Sequence, residues 1–167
     1  NMSFTPISGN CITAVGSTEK LDNDNQASQI LDAREHIVLP GLIDTHNHLR
    51  DLAHGLPFGQ GLKLDAFLRA GWEMNESLVE EDYYCGAMLG AIRLLKSGAT
   101  SVIDHCYPFH LPGLETSTMR AFNDLGIRGY LARGIMPKPI KPICETRQEA
   151  LDRIRSLDGE GHLPAER

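Results

Sequence analysis

The chain is 167 residues long, with 22 acidic and 16 basic residues, a net charge of −6 at pH 7 and 41% hydrophobic residues. An acidic chain without a cluster of Lys or Arg offers no surface for nucleic acid, no apolar run reaches the roughly 18 residues of a membrane span, and no signal peptide heads it. The composition agrees with a soluble cytoplasmic enzyme that has neither nucleic acid nor membrane as a partner, and its four cysteines, Cys11, Cys85, Cys106 and Cys144, lack the spacing of a disulfide framework or a structural zinc site.

In chain order, Cys11 to Gly16, Gln29 to Ala33 and Ile37 to Leu39 read as short strands, with a polar loop from Ser17 to Ser28. Pro40-Gly41 is a turn, and Leu42-Ile43-Asp44 begins a new strand. His46 and His48 follow it two residues apart. Alternate strand residues share a face, so the two imidazoles project together as half of a metal site. Ser77 with Glu80 has the spacing of a capping box, after which Tyr84, Met88, Ala91, Ile92 and Leu95 recur at helical spacing. Gly98 stops that helix, and Thr100 to Ile103 is rich in β-branched residues, as a strand requires. The rhythm repeats with a helix from Glu115 to Leu125, a stop at Gly126 and a strand from Ile127 to Met136. A last helix is capped by Thr146 and Glu149 and carries Ala150, Leu151, Ile154 and Leu157 on one face. Three strand-then-helix units with connections too long for hairpins predict a parallel α/β architecture.

Pro40-Gly41-Leu42-Ile43-Asp44-Thr45-His46-Asn47-His48 resembles the opening motif of the amidohydrolase superfamily, metal-dependent hydrolases built on (β/α)8 TIM barrels. The resemblance implies one divalent metal, zinc first and iron as the alternative, with His46 and His48 among its ligands. The catalytic base and the remaining ligands are then expected beyond Arg167. It also implies that residues 1–39 are part of a small β-sandwich domain and residues 40–167 the first three βα units of the barrel. A complete barrel takes about 250 residues, so the chain is expected to be the N-terminal piece of a longer, homo-oligomeric protein. A barrel stopped after three strands has an open edge, and the piece alone is expected to be poorly stable and catalytically incomplete.

Leu62 to Glu76, with Trp72, and Leu94 to Asp104 resemble the deaminase and chlorohydrolase branch, whose members are similar to cytosine deaminase and triazine hydrolase. That branch implies hydrolytic deamination, or dechlorination, of an aminated N-heterocycle such as a purine, pyrimidine or triazine by metal-activated water. His48-Leu49-Arg50-Asp51, however, is similar to the dihydroorotase wording, in which the arginine grips a substrate carboxylate. Cyclic-amide hydrolysis, of the dihydroorotase or hydantoinase kind, therefore stays open. Asp104-His105-Cys106-Tyr107 resembles a segment of relatives that deaminate oxidised heterocycles, which makes His105 and Asp104 candidates for substrate binding. The alternative is that Asp104 orients His46 or caps a turn and that His105 packs under a loop. Trp72 is either an aromatic wall for a flat ring or packing beneath the loop after the first strand. Gln60 and His54 could face substrate from the loop after the first strand or be ordinary exposed polar residues. Asp44 steadies a turn or a ligand imidazole. On the third strand lie Arg128 and Arg133, of which Arg133 could reach an anionic substrate group. His36, His110 and His162 read as surface residues.

Overall fold

A computed structural model of the chain describes residues 3–17, 27–54, 60–135 and 145–159. It divides into two compact units with the boundary between Pro40 and Gly41. In the first, β1 (Ser3–Phe4) pairs antiparallel with β4 (Gly16–Ser17), and β2 (Ile7–Ser8) pairs antiparallel with β3 (Cys11–Ile12). The strand expected from Cys11 to Gly16 is thus split in two. The strands expected at Gln29 to Ala33 and Ile37 to Leu39 do not form, and Ile30, Leu31, Ile37, Val38 and Leu39 are exposed. A strand exists only where its peptide groups find a ladder partner, and no described segment pairs with these residues.

The second unit is mixed α/β around a parallel sheet. Strands β5 (Leu42–Asn47), β6 (Ala99–Cys106) and β7 (Arg128–Arg133) lie in the order β5-β6-β7, all parallel. Between β5 and β6 run a 3₁₀ turn (Leu49–His54), α1 (Leu64–Asn75) and α2 (Glu80–Lys96); α3 (Leu114–Leu125) joins β6 to β7, and α4 (Arg147–Gly159) follows. Among the described residues no helix is long and apolar enough to cross a membrane.

Local chemistry explains most of these boundaries. Gly126 ends α3 in the left-handed region at φ 74°, where glycine is unstrained. At α4 the capping box is reciprocal: the Glu149 carboxylate accepts the Thr146 N–H at 2.7 Å and Thr146 Oγ1 accepts the Glu149 N–H at 3.2 Å. At α2 it is not where the spacing predicts. Ser77 Oγ instead donates to the Met74 carbonyl at the end of α1, and Asp82 accepts the Val79 N–H at 2.9 Å, so the helix starts at Glu80. The segment around Trp72, to which the sequence assigned no element, is the regular helix α1.

Along β6 every second side chain, Val102, Asp104 and Cys106, is buried against the helices. Val102 joins Ala87 and Ala91 of α2, Ala121 and Phe122 of α3, Ile127, and Leu49 in one core. Small residues on α2 let the segment after β5 pack directly on it. A Cβ added at Gly90 would lie 2.8 Å from Leu49 Cδ2, closer than carbon atoms approach. The other sheet face is bare, with Ile43 68% and Tyr130 61% exposed. Alternation in register thus gives the sheet one packed face and one open face.

Candidate functional site

Parallel strands bring their C-terminal ends to one edge, and there β5 and β6 deliver three histidines. The rings of His46 and His105 stack with centroids 4.0 Å apart, His46 meets His48 edge-on at 5.1 Å, and Tyr107 lies 5.9 Å from His48. Asp44 shapes this strand end through the backbone rather than an imidazole. Its carboxylate accepts the His46 N–H at 3.1 Å and the Asn47 side-chain amide at 2.8 Å, where the β5–β6 register shifts. His48 Nδ1 lies 2.5 Å from the His105 carbonyl. A carbonyl can only accept, so Nδ1 carries the proton and Nε2 keeps its lone pair for another partner.

Two buried polar side chains hold the residues that follow. Asp104 is fully buried, and its Oδ1 accepts the Leu49 N–H at 2.9 Å while Oδ2 has no hydrogen-bond partner. Burial pushes the Asp104 carboxyl up to about 6, against the opposing pull of the Leu49 N–H and of the charge on Arg50. Arg50, 5% exposed, donates through Nη1 to Asn75 Oδ1 and, at 3.2 Å, to the Tyr83 hydroxyl, and through Nη2 to Asp51 Oδ1 and the Tyr107 carbonyl, both at 2.7 Å. Tyr83 donates its own O–H to the Pro108 carbonyl, and burial raises its hydroxyl well above the ordinary tyrosine value. The guanidinium therefore joins the β5 exit, α1, α2 and the β6 exit.

Beside His48 opens a cavity of about 150 Å³. Leu64, Phe67, Leu68 and Trp72 of α1 form its apolar wall, and Asp51 and Tyr107 line it on the polar side with His48. Trp72 is thus a cavity wall, carried by a helix. His105 lies against His46 but does not line the cavity, and neither does Asp104. Gln60 is exposed and also absent from the lining, while the side chain of His54 lies outside the described residues.

Arg133 does not face a ligand. It is buried in ion pairs with Glu115 at 3.0 Å and Glu145 at 2.5 Å, each carboxylate no more than 5% exposed, which satisfies a buried cation. Arg128 is exposed at the opposite end of β7. Of the histidines expected at the surface, His36 is exposed, but His110 has both ring nitrogens buried, and burial pulls its pKa below the ordinary value. His162 lies outside the described residues. From sequence, Asp51 and Tyr107 entered only as the last residues of two motifs, and Phe67 was not singled out. For Phe67 a signal existed, because Leu64, Phe67, Leu68, Gly71, Trp72 and Asn75 follow one helical stripe.

The pattern of the amidohydrolase family matches residues 37–164. The chain belongs to the amidohydrolase family. Within it, the chain is 28% identical over 161 residues to a 5'-deoxyadenosine deaminase of Methanococcus maripaludis, covering 91% of the chain and 36% of that protein. It is 33% identical over 135 residues to the 5'-deoxyadenosine deaminase of Methanocaldococcus jannaschii, covering 78% of the chain and 29% of the relative. Among solved structures, a mutant of the atrazine chlorohydrolase TrzN from Arthrobacter aurescens TC1, complexed with zinc and atraton, superposes with a TM-score of 0.78 at 25% identity, over 97% of this chain and 39% of that one. An E. coli guanine deaminase, at 16% identity, shares the fold with a TM-score of 0.70 over 89% of this chain and 33% of that one. The chain thus spans about a third of the length of the curated relatives it matches, and it falls in the deaminase and chlorohydrolase branch of its family.

Proposed function

We propose that the protein containing this chain is a metal-dependent hydrolase that releases ammonia from an aminated N-heterocycle such as a purine, pyrimidine or triazine. The observation that carries this is the pair His46 and His48 at the sheet edge, with the His48 tautomer fixed by the His105 carbonyl, beside a cavity walled by Trp72 and Phe67. The relatives named as 5'-deoxyadenosine deaminases support an adenine-type ring, and the zinc-containing chlorohydrolase supports zinc, with iron as the alternative. The donor set fits a divalent ion in part. Nε2 of His48 is free to coordinate, and His46 is near enough to share the ion. Two imidazoles do not complete a catalytic site, and among the described residues no cluster of three His, Cys, Asp or Glu side chains is placed to hold a metal. The remaining ligands and the base are assigned to the rest of a (β/α)8 barrel of which this chain supplies the first three units.

When bound, a divalent ion supplies water activation at neutral pH. The chain's own residues do the positioning. His46 and His48 aim their imidazoles, the Asp104 carboxylate pins the Leu49 N–H and with it the backbone beside His48, and His105 braces His46 by stacking. Phe67 and Trp72 give a flat ring an apolar face and exclude water from its far side. Overall, water adds to the ring carbon and the amine leaves as ammonia with the proton that water gives up. Cyclic-amide hydrolysis is disfavoured because both Nη atoms of Arg50, the residue that would grip a carboxylate, are committed within the fold.

The test is ammonia release by the full-length, zinc-loaded protein from a panel of aminated purines, pyrimidines and triazines. Turnover that is lost in His48→Ala supports the assignment. Opening of dihydroorotate or hydantoin rings with no ammonia from any panel member would overturn it.

A further inference from the structure

We propose that Asp51 selects the substrate by its substituent remote from the reacting carbon, so that the site takes heterocycles whose substituent donates hydrogen bonds or is cationic, and rejects carboxylate or phosphate. This rests on the cavity beside His48 being the substrate site. Two charged side chains line that cavity, and they are not presented equally. The Arg50 guanidinium is 5% exposed and spends both Nη atoms on Asn75, Tyr83, Asp51 and the Tyr107 carbonyl. The Asp51 side chain is 34% exposed, with only Oδ1 engaged by Arg50 at 2.7 Å. The charge offered to a ligand is therefore the carboxylate, held by a cation whose two Nη atoms are already hydrogen-bonded within the fold.

A carboxylate accepts hydrogen bonds and donates none. Leu64, Phe67, Leu68 and Trp72 line the same cavity and offer an anion no positive charge, whereas the aromatic faces of Phe67 and Trp72 tolerate a cation. A hydroxyl or amine on the ligand could meet the free Oδ2 while the ring lies on the aromatic wall. An anionic substituent would meet like charge beside an apolar wall, where repulsion is stronger than in bulk water. Because the Arg50 contact fixes the side chain before any ligand arrives, little ordering is left for binding to supply.

The experiment uses the full-length protein and one aminated ring carrying three different substituents, hydroxyalkyl, alkyl and carboxyalkyl. Wild-type kcat/KM should favour hydroxyalkyl over carboxyalkyl by about 100-fold or more, and Asp51→Asn should shrink that ratio by about 10- to 100-fold. Asp51→Glu, which keeps the charge, should preserve the order. Calorimetric binding of the same three rings without the reactive amino group gives a second readout that needs no turnover and no variant. The same ranking there is expected, and equal binding of hydroxyalkyl and carboxyalkyl forms would overturn the proposal. So would an unchanged ratio in Asp51→Asn with ammonia still released. Absence of ammonia release with the binding preference intact would instead overturn the deaminase assignment alone.

Discussion

Replacing Arg50 by Met should cost the fold far more than it costs substrate affinity. The side chain is buried and donates to Asn75, Tyr83, Asp51 and the Tyr107 carbonyl. Truncation leaves Asn75 Oδ1, on a residue 2% exposed, and the Tyr107 carbonyl short of their donors, at about 1–3 kcal/mol for each stranded group. Asp51 is 34% exposed and can rehydrate, so its ion pair adds little. Tyr83 keeps its bond to the Pro108 carbonyl. The total is about 2–6 kcal/mol, or a fall in melting temperature of roughly 4–12 °C for a domain of barrel size. Arg50→Lys should recover only a minor part, since a single ammonium cannot reach the four partners of a planar fork. Arg50→Met with Asn75→Leu, which removes donor and acceptor together, should recover about half. Thermal unfolding of the full-length protein by circular dichroism, alongside KM, is the assay. A loss under about 1 kcal/mol together with a large rise in KM confined to carboxylated substrates would show that Arg50 grips a ligand and that its interior contacts matter little.

Three further perturbations test other parts. Arg133→Met strands the Glu115 and Glu145 carboxylates, each no more than 5% exposed, and should destabilise by about 3–5 kcal/mol, most of it recovered when both become Gln; denaturant midpoints decide. Gly129→Ala sets a Cβ 2.1 Å from Phe122 Cδ2, an overpacking that should cost about 1–3 kcal/mol and be relieved by Phe122→Leu in a double-mutant cycle. In the folded chain the Thr146 N–H and hydroxyl hold the Glu149 carboxyl below its ordinary pKa, and both partners lie within a synthetic peptide of residues 145–159. A depressed acid stabilises above its unfolded pKa and loses that contribution as pH falls through the folded one, so helicity by circular dichroism should drop on acidification through the carboxylate range, with a smaller drop in Glu149→Gln.

What could be read from sequence was what single elements encode. The Gly126 stop, the Thr146–Glu149 box and the β-branched run after Gly98 are local signals, and each sits where its spacing predicts. The parallel order follows from connections too long to be hairpins. The errors arose where two local signals competed or where the partner was remote. Ser77 and Glu80 have the right spacing, yet Ser77 Oγ is drawn to the Met74 carbonyl because α1 ends there and the N–H four residues on, that of Leu78, bonds to Asn75 instead. Helix α1 was hidden by Gly71 and Asn75 within its stripe and by Lys63, a poor cap, at its start. Arg133 could not be distinguished from a ligand-facing cation without knowing that Glu115 and Glu145 close on it.

The Arg50-Asp51 pair shows why a motif of adjacent residues underdetermines chemistry. The same two side chains could present either sign of charge to a ligand, depending on which is buried. That choice is made by Asn75 at the end of α1, Tyr83 in the first turn of α2 and the carbonyl of Tyr107 after β6. A buried guanidinium needs several acceptors before its desolvation is offset, and these three elements meet only once the helices pack on the sheet through Leu49, Ala87 and Ala91. The small side chains of α2 therefore bear on selectivity at the site: by letting the β5 exit sit tight against the helix, they put Arg50 inside and leave Asp51 facing the cavity. Gly90→Ala on α2 should accordingly push Leu49 outward, loosen the Arg50 contacts and weaken the preference for donor-bearing substituents, even though Gly90 itself lines no part of the cavity. Structural loss without any change in that preference would break the link between packing and selectivity.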